Sequence, residues 1–311
     1  MFRLSRSLKV AGVLVGAALS LPFTVHAHRQ WLFPSATVLS GSDPWVTIDA
    51  AISNDLFYFE HFPLRLDNLV VTAPDGTTVT AENASTGRYR STFDVHLTQK
   101  GTYRIAVVGD TVAASYTQDG ERKTWRGSAQ AFATEVPATA PDLRVSRTAN
   151  RVEVFVTSGS PTTTALKPTG VGLELVPVTH PNDLVAGEAA TFAFVLDGKP
   201  AANLPVTLIP GGIRYRDTLG EVKATTDAEG RFTVTLPEPG MYWINATFSE
   251  GGAGRRGPAP SAPSEQAAGQ AAGRGGPSLA EGQPPAAGPP ARQVTPGRRS
   301  NYVATLEVLP L

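Results

Sequence analysis

The residues best equipped for chemistry are histidines, and the first of them owes its interest to its place in the chain. Arg3, Arg6 and Lys9 precede an apolar run from Val10 to Phe23, followed by Val25, His26 and Ala27. That is the layout of a secretory signal peptide over residues 1–27. Cleavage after Ala27 makes His28 the first mature residue and puts a free α-amine and an imidazole on one residue. The amine and Nδ1 together chelate copper(II), or less tightly nickel or cobalt, and one further imidazole completes a three-nitrogen set. The amine binds metal only when neutral, which its ordinary pKa of about 7.7–8.0 allows near neutrality.

Two histidines are candidates for that further nitrogen. His61 closes an aromatic-rich stretch, Phe57-Tyr58-Phe59-Glu60-His61-Phe62, and His96 lies in Phe93-Asp94-Val95-His96-Leu97. In extended backbone Glu60 and His61 face opposite sides, whereas Asp94 and His96 share one. His180, in Thr179-His180-Pro181-Asn182-Asp183, reads as a turn or interdomain contact. Each has a bland alternative. Any chain cut before a histidine shows the terminal feature, the 54–63 stretch reads equally as a packed loop, and His96 as a solvated strand face.

Other chemistries are harder to support. The chain has no cysteine, which removes disulfides, thiol catalysis and Cys-ligated metals, and only two methionines, Met1 and Met241. The 27 Lys+Arg balance 27 Asp+Glu, so no basic surplus points to nucleic acid. There is no Gly-x-Ser-x-Gly elbow, phosphate-binding loop, dinucleotide fingerprint or His-Glu-x-x-His helix, and the chain is expected not to be an enzyme. Trp31, Trp45, Trp125 and Trp243 read as core residues before they read as a sugar platform.

The elements that must position these histidines are short strands. Trp45 to Ala51, Leu69 to Thr72, Tyr103 to Val108, Val152 to Thr157, Thr191 to Leu196 and Leu204 to Ile209 alternate with turn signals such as Pro74-Asp75-Gly76, the spacing of an all-β sandwich fold. A repeat suggests two of them. Gly87-Arg88-Tyr89 leads to Leu97, Gly101, Tyr103 and Ile105, and Gly230-Arg231-Phe232 leads to Leu236, Gly240, Tyr242 and Ile244. A Tyr just after a Gly turn is the signature of a tyrosine corner in immunoglobulin-like sandwiches. We therefore expect an N-terminal β-sandwich over 28–158, a linker over 159–171 and a C-terminal β-sandwich over 172–311. The second resembles transthyretin-like modules through Leu196-Asp197-Gly198-Lys199-Pro200 and Thr226-Asp227-Ala228-Glu229-Gly230. Residues 251–300, rich in Gly, Pro and Arg and without aromatics, read as a disordered insert in a hairpin between strands Met241 to Phe248 and Asn301 to Val308.

The start His28-Arg29-Gln30-Trp31-Leu32-Phe33-Pro34-Ser35, the Asn54 to Pro63 segment and Gly172-Leu173-Glu174-Leu175-Val176-Pro177-Val178-Thr179-His180-Pro181 resemble the bacterial exported family called domain of unknown function 4198. The resemblance spans about residues 28–250 and the last strand. It implies a relation to periplasmic components of nickel or cobalt uptake, with His28 as the ligand carried over; His61 and His96 are added on chemistry alone. The expectation is a periplasmic, non-catalytic divalent-metal binder that serves an uptake or receptor component of the envelope, with no membrane segment after processing. The alternatives are a non-metal module docking on a receptor or polysaccharide and, last, a copper oxygenase using the terminal histidine.

Overall fold

The computed structural model describes residues 28–250 and 297–311. The leader expected over residues 1–27 and the disorder expected over residues 251–296 lie outside the described residues. In chain order the strands are β1 (Arg29–Pro34), β2 (Val38–Leu39), β3 (Trp45–Ser53), β4 (Phe62–Pro63), β5 (Leu69–Thr72), β6 (Thr78–Val79), β7 (Glu82–Thr86), β8 (Ser91–His96), β9 (Gly101–Gln118) and β10 (Glu121–Gly127), then helix α1 (Ala129–Glu135) and β11 (Arg144–Ser158). They continue with β12 (Leu173–Pro177), β13 (Leu184–Val185), β14 (Ala189–Leu196), β15 (Lys199–Pro200), β16 (Pro205–Pro210), β17 (Val222–Thr225), β18 (Arg231–Thr235), β19 (Gly240–Glu250) and β20 (Gly297–Leu309).

The all-β expectation holds, with a feature the sequence did not announce: the two sandwiches share a sheet. Eleven strands form it, ordered β17-β16-β19-β20-β11-β9-β5-β6 along the main path. A five-stranded sheet (β1-β3-β8-β7, with β4 beside β3) and a four-stranded sheet (β12-β14-β15, with β18 beside β14) complete the fold. On β20, Val303 packs in a core with Trp31, Ile48 and Phe93, whereas Tyr302, Ala304 and Leu306 pack in a second core with Phe192 and Phe194. Successive residues of a strand point to opposite faces, so the two small sheets cover opposite faces of the central one. Burial on both faces explains why Tyr302-Val303-Ala304-Thr305-Leu306 does not alternate.

Both tyrosine corners are present. The Gln99 N–H donates to the Tyr103 phenol oxygen at 2.7 Å and that hydroxyl donates to the Gln99 carbonyl at 3.2 Å; Glu238 and Tyr242 repeat the pair at 3.3 and 2.9 Å. Gly101 and Gly240 precede them at φ +128° and +133°, a backbone that favours glycine. Their surroundings differ. A Cβ on Gly101 would lie 2.6 Å from Thr162 Oγ1 and 2.7 Å from Pro74 Cβ, while one on Gly240 would meet open space. The upstream half of the repeat is not equivalent: Tyr89 is exposed in the turn before β8, whereas Phe232 is buried on β18.

Two expected boundaries shift. β9 and β11 run beyond the sandwich and, with β10, form an arm closed by an Asp119-Gly120 turn whose two residues have positive φ. Ser128 caps α1 there by accepting from the Ala131 N–H at 3.1 Å, and Trp125 packs against Phe132. The hairpin strand β20 begins at Gly297 rather than Asn301. Arg298, Arg299 and Ser300, assigned above to the disordered insert, instead pair with Glu250, Ser249 and Phe248. Residues 159–171 are packed: Ala165 and Leu166 are buried, and the Glu174 carboxylate accepts hydrogen bonds from Thr169 and Gly170.

Candidate functional site

His28 takes its place from β1, which runs antiparallel to β3 with Arg29 opposite Ser53. That register sets His28 beside the loop that leaves β3. The loop turns through Phe57 at φ +66° and is held by Glu60, whose Oε1 accepts from the backbone N–H groups of Asn54 (2.9 Å) and Asp55 (2.8 Å). Arg214, from the 213–221 loop, pairs with Glu60 Oε2 and with Asp55 Oδ2 at 2.7 Å, and its guanidinium lies 4.1 Å from the centre of the Tyr58 ring. The turn delivers His61 onto His28: the two imidazoles stack 3.8 Å apart, 11° from parallel. Glu60 is engaged with its own loop and Arg214, so the structure supplies His61 without its neighbouring carboxylate.

His96 does not join them. It lies opposite Trp45, at the end of β3 remote from Ser53, and eight residues at about 3.3 Å each set the two ends roughly 25 Å apart. There it stacks on Trp45 at 4.2 Å, with Nε2 2.5 Å from Asp43 Oδ1. Asp94 is occupied as well, accepting from Thr47 (2.6 Å) and Asn83 (2.8 Å), bonds that hold its carboxyl below the usual range. His180 is the contact between halves that its sequence suggested. Nε2 lies 3.0 Å from Thr102 Oγ1, and Nδ1 accepts from the Asn182 N–H at 3.2 Å. Burial lowers its pKa. Of the tryptophans, Trp31 and Trp243 are core residues, while Trp45 is 40 % exposed.

Among the described residues no three His, Asp or Glu side chains converge in a way that could hold a metal ion. Of the expected ligands the structure brings together the His28 and His61 imidazoles and leaves His96 apart. Nitrogen donors of this kind suit nickel, cobalt and copper better than calcium or magnesium.

Sequence reasoning missed what lies beside the pair. His28 and Arg29 edge a cleft of about 920 Å³ that extends over the central sheet to the 213–221 loop. Arg29 is half-buried; one guanidinium nitrogen donates to the Asn54 carbonyl at 2.6 Å, and the group lies 5.8 Å from the Trp243 ring centre. Burial lowers its pKa against the opposing influence of Glu221 and Asp55. The available signal was the alternation Asn245, Thr247 on β19 and Thr148, Asn150 on β11, polar on a face that is apolar further along.

Among the described residues no helix is long and apolar enough to cross a membrane. No curated protein matches the chain. Among solved structures, the D0-D1 domain of intimin is similar at 14% identity and TM-score 0.19, over 69% of this chain and 88% of its own. A mutant of Salmonella alpha-2-macroglobulin is similar at 16% identity and TM-score 0.18, over 71% of this chain and only 13% of that protein. Likenesses this weak carry no argument about architecture or activity. The family model for a domain of unknown function, DUF4198, matches residues 25–250, more than half of the sequence, and the chain belongs to that family.

Proposed function

We propose that this protein is an exported, non-catalytic binder of a divalent transition metal, nickel, cobalt or copper, which it supplies to an uptake or receptor component of the cell envelope. The observation that supports the reading is the nearness of His28 to His61, ring centres 3.8 Å apart, two imidazoles from distant parts of the chain held together by a loop clamped through Arg214; ring nitrogens donate in the plane of the ring, so chelation turns one imidazole out of the stack. The His28 amine freed by cleavage after Ala27 supplies the third nitrogen. His96, remote from this pair, has no part in the site.

Calorimetric titration of the chain beginning at His28 with nickel, cobalt, copper and zinc tests the proposal. Tight binding is expected, lost on adding one glycine before His28 or on His61→Ala, and kept by His96→Ala. Absence of binding in the correctly processed chain overturns the metal reading. Intact-mass analysis of the protein recovered from the periplasm checks the cut itself, and an N-terminus other than His28 removes the amine from the site.

A further inference from the structure

The floor of the cleft beside His28 is the part of the central sheet that the five-stranded sheet leaves bare. Cross-strand partners point the same way, so Thr207 beside Asn245, Thr247 beside Asn301, and Asn301 beside Asn150 form one continuous polar surface. All of them line the cleft. Val303, two residues further along β20, is buried with Trp243 and Ile209 in the first core. The polar surface begins where that cover ends.

Its hydrogen bonding is incomplete. Asn245 Nδ2 donates to Asn301 Oδ1 at 2.9 Å, and Thr247 Oγ1 donates to the same oxygen at 2.8 Å. This fixes the Asn301 amide with its NH₂ group unused, and Asn245 keeps a free amide oxygen, among the described residues. The side chains of Thr148, Asn150 and Thr207 likewise make no hydrogen bond to a described residue. On the rim, Arg29, Arg216 and Arg299 are matched by Asp55, Asp217 and Glu221.

We propose that this cleft binds a neutral oligosaccharide laid across the sheet. Amides and hydroxyls both donate and accept, as sugar hydroxyls do, whereas an anion needs donors alone and would meet as many carboxylates as guanidiniums here. An extended peptide gains its main-chain bonds at a sheet edge, and this floor is a sheet face. The volume falls in the range of about 300–1,000 Å³ typical of ligand sites. From Val303, at the edge of the cover, to Arg299, opposite Ser249, the floor runs about 13 Å along β20, long enough for a short run of sugar rings. The inference rests on the floor and not on the His28–His61 pair, so it stands or falls apart from the metal reading.

The test is calorimetric titration of the metal-free chain beginning at His28 with hexasaccharides of α-1,4-glucose, β-1,4-glucose, β-1,4-N-acetylglucosamine and β-1,4-xylose, beside a galacturonic acid hexamer. At least one neutral chain is expected to bind. Asn150→Ala and Thr207→Val should each weaken it about fivefold to tenfold, the loss of one hydrogen bond, with unchanged thermal midpoints. Binding of the acidic chain alone, of none, or binding indifferent to both substitutions overturns the proposal.

Discussion

Asn150 and Arg151 are neighbours in the chain, as are Asn301 and Tyr302, yet the two pairs live in opposite environments. Asn150 lies beside Asn301 on the open face of the central sheet, and Arg151 lies beside Tyr302 on the covered one. On the covered side the Tyr302 hydroxyl donates to Glu153 at 2.6 Å, and Arg151 contacts Glu153 at 3.4 Å and Glu174 at 3.2 Å. Glu174 also accepts from the Thr169 N–H, the Thr169 hydroxyl and the Gly170 N–H. In this cluster only Arg151 Nε is a buried side-chain atom without a partner. Buried charge survives only when paired, so this network is a structural joint between the halves. The open face keeps unpaired amides and hydroxyls at little cost because water satisfies them, and that leaves them available to a ligand.

The sharpest way to break this contrast is Glu153→Ala. It leaves Arg151 and Tyr302 buried without their shared carboxylate and is expected to cost about 3–5 kcal/mol in urea unfolding; a loss below about 1 kcal/mol, the worth of a surface pair, would erase the distinction. Tyr302→Phe should cost less, about 1–3 kcal/mol, since one hydrogen bond to a buried carboxylate is lost. The same phenol sets an alkaline limit. Burial, reinforced by Glu153, raises its pKa well above the ordinary value, so its stability contribution is whole below about pH 10 and is lost as pH rises toward the folded value. The wild type should therefore lose stability above about pH 10 more steeply than Tyr302→Phe.

A smaller effect is expected at His180, where burial lowers the imidazole pKa. Stability there is complete above the ordinary value of about 6.5 and declines as pH falls from it toward the folded pKa. Denaturation midpoints measured from pH 7.5 to 5 should drift downward in the wild type and less in His180→Gln. The smallest effect belongs to the open face: Asn150→Ala and Thr148→Ala should change unfolding free energy by no more than about 0.5 kcal/mol. A large loss at either would show that the cleft floor is structural after all.

What the sequence made legible was local. Leu-x3-Gly-x-Tyr-x-Ile, written twice, encodes both tyrosine corners because every contact in them spans four residues. The shared sheet was hidden because β11 and β20 pair in parallel, Ser146 with Gly297, across a separation that leaves no local pattern. His28 and His61 could each be named from chemistry, but their stacking depends on the turn at Phe57 and the Arg214 clamp. His96 was grouped with them on residue type alone, and strand register sends it to the other end of β3. The cleft escaped notice because its extent is set by where a covering sheet stops, not by any motif.

The placement of β20 has a consequence for how the molecule comes into being. Its odd-numbered residue Val303 completes one core and its even-numbered residues complete the other, yet it follows every other described strand in the sequence. Neither half can finish its interior while that strand is missing. Assembly must wait for β20 and proceed through pairings distant in sequence, a slow route. A molecule built this way favours folding all at once over maturing one half at a time.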